Sequence, residues 1–220
     1  YILIYIHGCR CLSRFSFSGP LPRHTKMPTY FLASQNLHKL IEMQAILQDS
    51  GVRLRPLSEM IQMPEIDEDG DTFLANAVKK ALTGARLSSC FVLADDSGLE
   101  VAALDGEPGV HSSRYAGPGS SDEQNTAKLL RCMQDITCRQ ARFVCVLAVA
   151  GPEGLVGTAE GEVRGRIALE PKGHGGFGYD PVFIPDGYEQ SFAELSEECK
   201  NQLSHRSRAL EMALQIGLLQ

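Results

Sequence analysis

The chain has no tryptophan, so a loop built to meet a flat ligand must do so with backbone and with phenylalanine or tyrosine. It also has no C-x-x-C pair. Its seven cysteines, Cys9, Cys11, Cys90, Cys132, Cys138, Cys145 and Cys199, are odd in number and scattered. That usage fits a reducing cytosol better than a disulfide scaffold or a zinc site, and a cytoplasmic location is the expectation. No apolar run approaches the roughly 18 residues that a bilayer span needs, so no membrane partner is expected. Basic residues are outnumbered, 21 against 27 acids, giving a net charge of -6 and a pI near 5.5. Such a balance argues against a non-specific nucleic-acid binder. Internal repeats and low-complexity tracts are missing too.

Acid is absent from residues 1–26, which hold Arg10, Arg14, Arg23 and Lys26. The segment's apolar start, "YILIYI", is too short for a membrane helix, and Met27 stands directly before the first good strand. Residues 1–26 therefore read as upstream sequence outside the fold, with an organelle address as the alternative. Residues 27–220 read as the functional domain. At 220 residues and 43% hydrophobic, the chain can bury one large core or two small ones, so an α/β domain, single or two-lobed, is expected.

"TYFLAS" (29–34) predicts a short strand, and apolar positions 37, 40, 41 and 47 predict a helix that Gly51 stops. The loop between them offers Ser34, Asn36 and Lys39 where helix-start amides point outward. Phosphate oxygens suit that place, although Ser and Asn there also serve as simple caps. A second helix is predicted from Asp71 or Thr72, with an apolar stripe of Leu74, Ala77, Val78, Ala81, Leu82 and Ala85 and with Asn76 and Lys80 projecting from another face. Ahead of it, Glu65, Asp67, Glu68, Asp69 and Asp71 crowd into seven residues. They are either a solvated acidic loop or a seat for a hard divalent cation. "FVLADDSGLEV" (91–101) predicts a strand running into two aspartates, with Ser97 and Gly98 turning the chain. Carboxylates at such a strand end sit where α/β sheets bind ligands.

"ARFVCVLAVA" (141–150) reads as a buried strand, "GEVRGRIALE" (161–170) as an exposed one, and the C-terminal 27 or so residues as helices. "GHGGFGYDP" (173–181) is the least ordinary stretch. Four glycines surround Phe177 and precede Tyr179 and Asp180, as a loop would if it had to bring backbone close to a flat ligand. The glycines do not keep the G-x-G-x-x-G spacing of a dinucleotide-binding turn. Lys200, His205 and Arg206 cluster near the start of the last helix.

Taken in order, "LASQNLHK", "TFLANAVKKA", "LADDSGLEV", "GVHSSRYAG", "GHGGFGYDPVF", "FAEL" and "EECKNQLSHR" closely resemble the motifs of the inosine triphosphate pyrophosphatase family, over nearly all of residues 28–218. The resemblance implies an α/β fold, a mixed, elongated β-sheet with helices forming two lobes around a nucleotide cleft. It implies a homodimer and Mg²⁺-dependent hydrolysis of ITP, XTP and dITP to a nucleoside monophosphate and pyrophosphate, with Mn²⁺ as an alternative ion. Carried over residue by residue, it makes Ser34, Gln35, Asn36 and Lys39 the triphosphate loop, Lys80 a further phosphate cation and Asp96 the base and metal ligand. It makes Asp67 and Glu68 acidic metal positions, and Ser97, Phe177, Gly178, Tyr179, Asp180, Lys200, His205 and Arg206 substrate contacts. Ser34 replaces the family's usual threonine and Gln35 a glycine; a positive φ there would put Gln35 under conformational cost. Two other readings are a Maf-like nucleotide pyrophosphatase, against which "FGYDP" and "SHR" argue, and a nucleotide-binding module without turnover, against which the retained acids argue.

Overall fold

The computed structural model describes residues 27–62, 64 and 66–220. The segment 1–26, read as upstream sequence, lies outside the described residues, as does Glu65 of the acidic run. Six strands form one mixed sheet in the order β2-β1-β3-β4-β5-β6. The strands are β1 (Thr29–Leu32), β2 (Arg53–Pro56), β3 (Val92–Val101), β4 (Gln140–Gly151), β5 (Gly154–Ile167) and β6 (Phe183–Pro185). β1 pairs in parallel with β2 and β3, and the remaining pairs are antiparallel. The helices are α1 (Leu37–Ile46), α2 (Phe73–Ser88), α3 (Asp122–Cys132), α4 (Glu197–Leu203) and α5 (His205–Gln215). Among the described residues no helix is long and apolar enough to cross a membrane.

Each helix starts where its sequence supplies a cap. Asn36, Thr72, Ser121, Ser196 and Ser204 all accept a hydrogen bond from a backbone N–H three residues on. β3 and β4 form the buried centre of the sheet, and their alternating side chains feed two cores. One core joins Leu93, Cys145 and Leu147 to α1 and α5 residues such as Met43 and Leu210, and the other joins Val92, Ala94 and Val146 to Ala77, Ala81 and Ala85 of α2. A third cluster, with Phe143, Phe183 and Phe192 at its heart, fills the far end of the sheet beneath α3.

Three expectations change. The buried face of α2 is rotated from the predicted stripe: Leu74 (47%) and Leu82 (38%) stay exposed, while Asn76 (1%) and Lys80 (9%) go inside. Small residues explain it, because Ala77, Ala81 and Gly84 let the helix lie so close to the sheet that a Cβ on Gly84 would press on Leu57 and Val92. Secondly, β3 does not turn at Ser97–Gly98; all ten of its residues pair with β4, from Val92 opposite Ala150 to Val101 opposite Ala141. Gly98 is there for close approach, since a Cβ would run into the Gly109 carbonyl and the Ser112 hydroxyl. Thirdly, the strand expected from residue 161 begins at Gly154, as the second arm of a long hairpin.

Candidate active site

β1 and β2 stop at Leu32 and Pro56, whereas β3 runs on for eight residues beyond Leu93, the partner of Leu32. A cavity of about 930 Å³ opens over these parallel strand ends, the usual place for a ligand in an α/β sheet. Because β3 passes through it unbroken, the two adjacent acids face opposite sides of the sheet. Asp95 faces α1 and α5: Lys39 Nζ lies 2.6 Å from its Oδ2, Ser97 Oγ donates to the same oxygen at 3.1 Å, and Arg206 Nε stands 4.0 Å away. Asp96 faces α2, accepting from Asn76 Nδ2 at 2.9 Å with Lys80 Nζ at 3.7 Å. The cavity is lined by Lys39 and Arg206 from one side and by Lys80 and Asp96 from the other.

The two carboxyls are driven in opposite directions. Burial is the largest influence on both and favours the neutral acid. At Asp95 the charges of Lys39, Arg206 and Lys80 outweigh it and hold the carboxyl well below the usual carboxylate range. At Asp96 burial wins over Lys80 and Asn76, with Glu68 adding like charge, and the carboxyl is raised. Asp95 is therefore a fixed anion, and Asp96 is the more basic of the pair.

Lys80 joins Asp96 to the acidic loop, with its Nζ 2.6 Å from Glu68 Oε1. Arg114 steadies that loop from the far side, donating to the Glu68 carbonyl at 2.8 Å. Asp67 does not join this group. It is exposed and outside the cavity lining, and its carbonyl is taken by Lys79, which also pairs with Asp69. Among the described residues no three acidic, histidine or cysteine side chains gather closely enough to hold a metal by themselves. Glu68 and Asp96, both within reach of one ammonium, fit an ion such as Mg²⁺, which takes one or two protein carboxylates and completes its shell with phosphate and water.

On the opposite wall Ser34 Oγ accepts from Asn36 N–H, and Asn36 caps α1 so that Lys39 leaves the first turn toward Asp95. Gln35 does not adopt the positive φ that would have put it under strain: among the described residues, positive φ outside glycine occurs at Ser89, Asp105 and Asp135.

The glycine loop closes the cavity. Gly173, Gly176 and Gly178 have positive φ, and a Cβ on Gly176 would strike the Asp180 carboxylate. Asp180 is buried, accepts the Phe177 N–H at 2.9 Å and pairs with Lys200 Nζ at 2.7 Å. Phe177 sits with Lys200 Nζ 4.9 Å and Arg206 Cζ 5.2 Å from its ring centre, and His38 stacks on it at 5.6 Å. Arg206 is held by Glu42 at 2.8 Å and donates to Ser97 Oγ at 3.2 Å. His205 stacks on Phe143 at 4.9 Å, and its buried Nδ1 has no partner among the described residues.

Burial, reinforced by Arg206, Lys200 and Lys39 and opposed by Asp95, pushes the His205 imidazole well below its ordinary 6.5. A depressed folded-state value means that the stability is fully present above about pH 6.5 and is lost as the pH falls toward that value, because the unfolded chain takes up the proton first. Wild-type stability should fall by roughly 1.4 kcal/mol per pH unit in that window on account of this one group. In His205→Gln that part of the slope should vanish, as urea unfolding at pH 7.5, 6.5 and 5.5 would show; equal slopes would mean that the imidazole protonates freely in the folded chain.

A family model described as the Ham1 family matches residues 30–216. The chain belongs to the Ham1 family. The dITP/XTP pyrophosphatase of Desulforamulus reducens is 48% identical over 187 residues, 84% of this chain and 93% of that protein. The dITP/XTP pyrophosphatase of Geobacter sulfurreducens is 45% identical over 188 residues, 84% and 94% of the two chains. Among solved structures, the HAM1 protein from Coxiella burnetii superposes with a TM-score of 0.79 at 41% identity, covering 87% of this chain and 99% of that one.

Within this Ham1 chain, the cavity lining unites Ser34, Gln35, Asn36, Lys39, Glu68, Lys80, Asp96, Ser97, Phe177, Gly178, Tyr179, Asp180, His205 and Arg206, with Lys200 behind Asp180. Sequence reasoning missed Glu42, Arg114 and Asp122 and placed Asn76 on a face of α2 other than the apolar stripe, without assigning it to the site. For Glu42 a signal existed, since it follows Lys39 by three residues on a helix whose other inward positions are Leu40 and Met43. Nothing local marks Arg114, whose partner lies 46 residues away.

Proposed function

We propose that this chain hydrolyses the non-canonical purine nucleoside triphosphates dITP, XTP and ITP to the monophosphate and pyrophosphate. The observation that carries the reading is one cavity lined by Lys39 and Arg206 from one side and by Lys80 and Asp96 from the other, with buried Asp95 holding the first pair as a fixed anion and Asp96 the carboxyl placed to accept a proton. The dITP/XTP pyrophosphatase names of relatives that match over most of the chain support it.

In this reading Asp96 accepts the proton of a water that attacks the α-phosphorus, and the bond from that phosphorus to the α–β bridging oxygen breaks as pyrophosphate departs. Lys39 and Lys80 neutralise charge growing on the leaving group from the two sides of the sheet. Glu68 and Asp96 would hold Mg²⁺, which when bound supplies positive charge to the phosphates and makes a bound water more acidic. Phe177 offers its ring to the base. Neutral His205 presents one ring donor, and the Arg206 guanidinium presents more. Both suit a 6-keto oxygen and leave the 6-amino group of adenine mismatched. The reading includes a cytoplasmic homodimer acting on free nucleotides, for which light scattering reads the assembly.

The test is pyrophosphate release from dITP, XTP, ITP, GTP and ATP, with Mg²⁺ present or chelated. Turnover of dITP and XTP at least about tenfold above ATP, abolished by chelation, is the expected result. Binding without release would replace the reading by a nucleotide-binding module, and ATP or GTP turned over as fast as dITP and XTP would remove the preference for non-canonical purines.

A further inference from the structure

The glycine loop is tied to α4 through Asp180 and Lys200, and it is also tied across the cleft mouth to α3. Asp122 Oδ2, in the first turn of α3, accepts the Gly178 N–H at 2.7 Å, and Thr126 Oγ1, one turn on, reaches the Gly178 carbonyl at 3.5 Å. The two side chains are spaced i, i+4, so both come from one face of the helix. α3 itself is rigidly started: Ser121 and Gln124 exchange a complete capping box around Asp122. Gly178 has φ of +62°, so the peptide it holds adopts a turn that an L side chain rarely allows. Phe177, one residue before, has its own N–H turned to Asp180. The amides of Phe177 and Gly178 are thus each engaged by a carboxylate, one from α3 and one from the loop, and Asp122 lines the cavity.

We propose that Asp122 is a positioning residue for the base-binding loop, acting through Gly178 to fix where Phe177 stands in the cleft. The inference rests on the proposed nucleotide hydrolysis and adds the element that sets the base end of the site. Tyr179 strengthens the same anchorage, donating its buried hydroxyl to the Ser112 carbonyl at 2.8 Å. With Asp122 replaced by alanine, Gly178 N–H loses a charge-assisted bond and the glycine turn can relax, whereas the phosphate-facing Lys39 and Lys80 are untouched. The loss should therefore appear in binding the base and not in the chemistry at phosphorus.

The experiment measures kcat and KM for dITP on wild type, Asp122→Ala and Asp122→Asn, together with inhibition by inorganic triphosphate, which has no base. Asp122→Ala is expected to raise KM for dITP about tenfold with kcat within threefold, leaving the triphosphate inhibition constant within twofold. Asp122→Asn keeps an acceptor for Gly178 N–H and should recover most of the affinity. An unchanged KM in Asp122→Ala overturns the proposal, as does an equal loss for dITP and inorganic triphosphate, which would mark general damage to the fold. Wild type that releases no pyrophosphate from dITP would instead refute the nucleotide hydrolysis itself, so the two failures are distinguishable.

Discussion

Asp96→Asn is expected to lower dITP turnover by at least about a hundredfold while leaving the melting temperature near that of wild type. The amide matches the carboxylate in shape, so the site keeps its packing, but it neither accepts the proton of the attacking water nor offers charge to a cation. Asn76 donates to Asp96 Oδ2 at 2.9 Å, and an amide oxygen there can accept the same bond. At Asp96 the strand is held by its pairing with Val146 of β4 and does not depend on the charge. Asp95→Asn makes the informative comparison. Its carboxylate is the buried counter-ion of Lys39 and Arg206, so its loss should cost stability as well as rate. Near-normal kcat in Asp96→Asn would move the proton acceptor elsewhere, with Glu68 the next carboxylate in the cleft.

The largest stability effect is expected at Asp180→Ala. Its side chain and that of Lys200 are only 6% and 10% exposed and stand 2.7 Å apart. Removing the carboxylate strands an ammonium in the interior, which costs about 3 to 5 kcal/mol, or roughly 6 to 20 °C in melting temperature for a chain of this size. The double variant Asp180→Leu/Lys200→Met removes both charges and should regain most of that stability. It should not regain affinity for dITP, because Phe177 N–H still lacks its acceptor. Scanning calorimetry of the single and double variants, followed by KM for dITP, checks both halves. A single variant that melts within 2 °C of wild type would show that water reaches Lys200 readily.

Much of this was legible in the sequence because it is local. Asn36, Thr72 and Ser204 announce helix starts, and the continuous apolar run from Phe143 to Ala150 announces a buried strand. The motif order carried the family and its cleft. What escaped depends on partners distant in the chain. The Asp95–Asp96 pair looked like the end of a strand because Ser97 and Gly98 resemble a turn, yet β4 supplies a partner for each and Gly98 answers to the crowding of Gly109 and Ser112. The stripe on α2 was misplaced because the periodicity of leucines gives no weight to a buried lysine, and Lys80 goes inside only since Asp95, Asp96 and Glu68 wait there to hold its charge. Asp67 and Glu68 are alike in sequence; their separation is decided by which backbone carbonyl Lys79 and Arg114 reach.

The unbroken pairing of β3 also determines what kinds of change this protein can absorb over generations. Substituting Val92, Leu93 or Ala94 alters volume, and its cost is graded and open to compensation by neighbours. Deleting or inserting one residue ahead of Asp95 is different in kind, because parity along a strand is all or none. Such a change would hand Asp95 to the lysine of α2 and Asp96 to that of α1, interchanging the fixed anion and the proton acceptor while leaving composition almost intact. The length of this strand, more than its lettering, is therefore what descent must preserve.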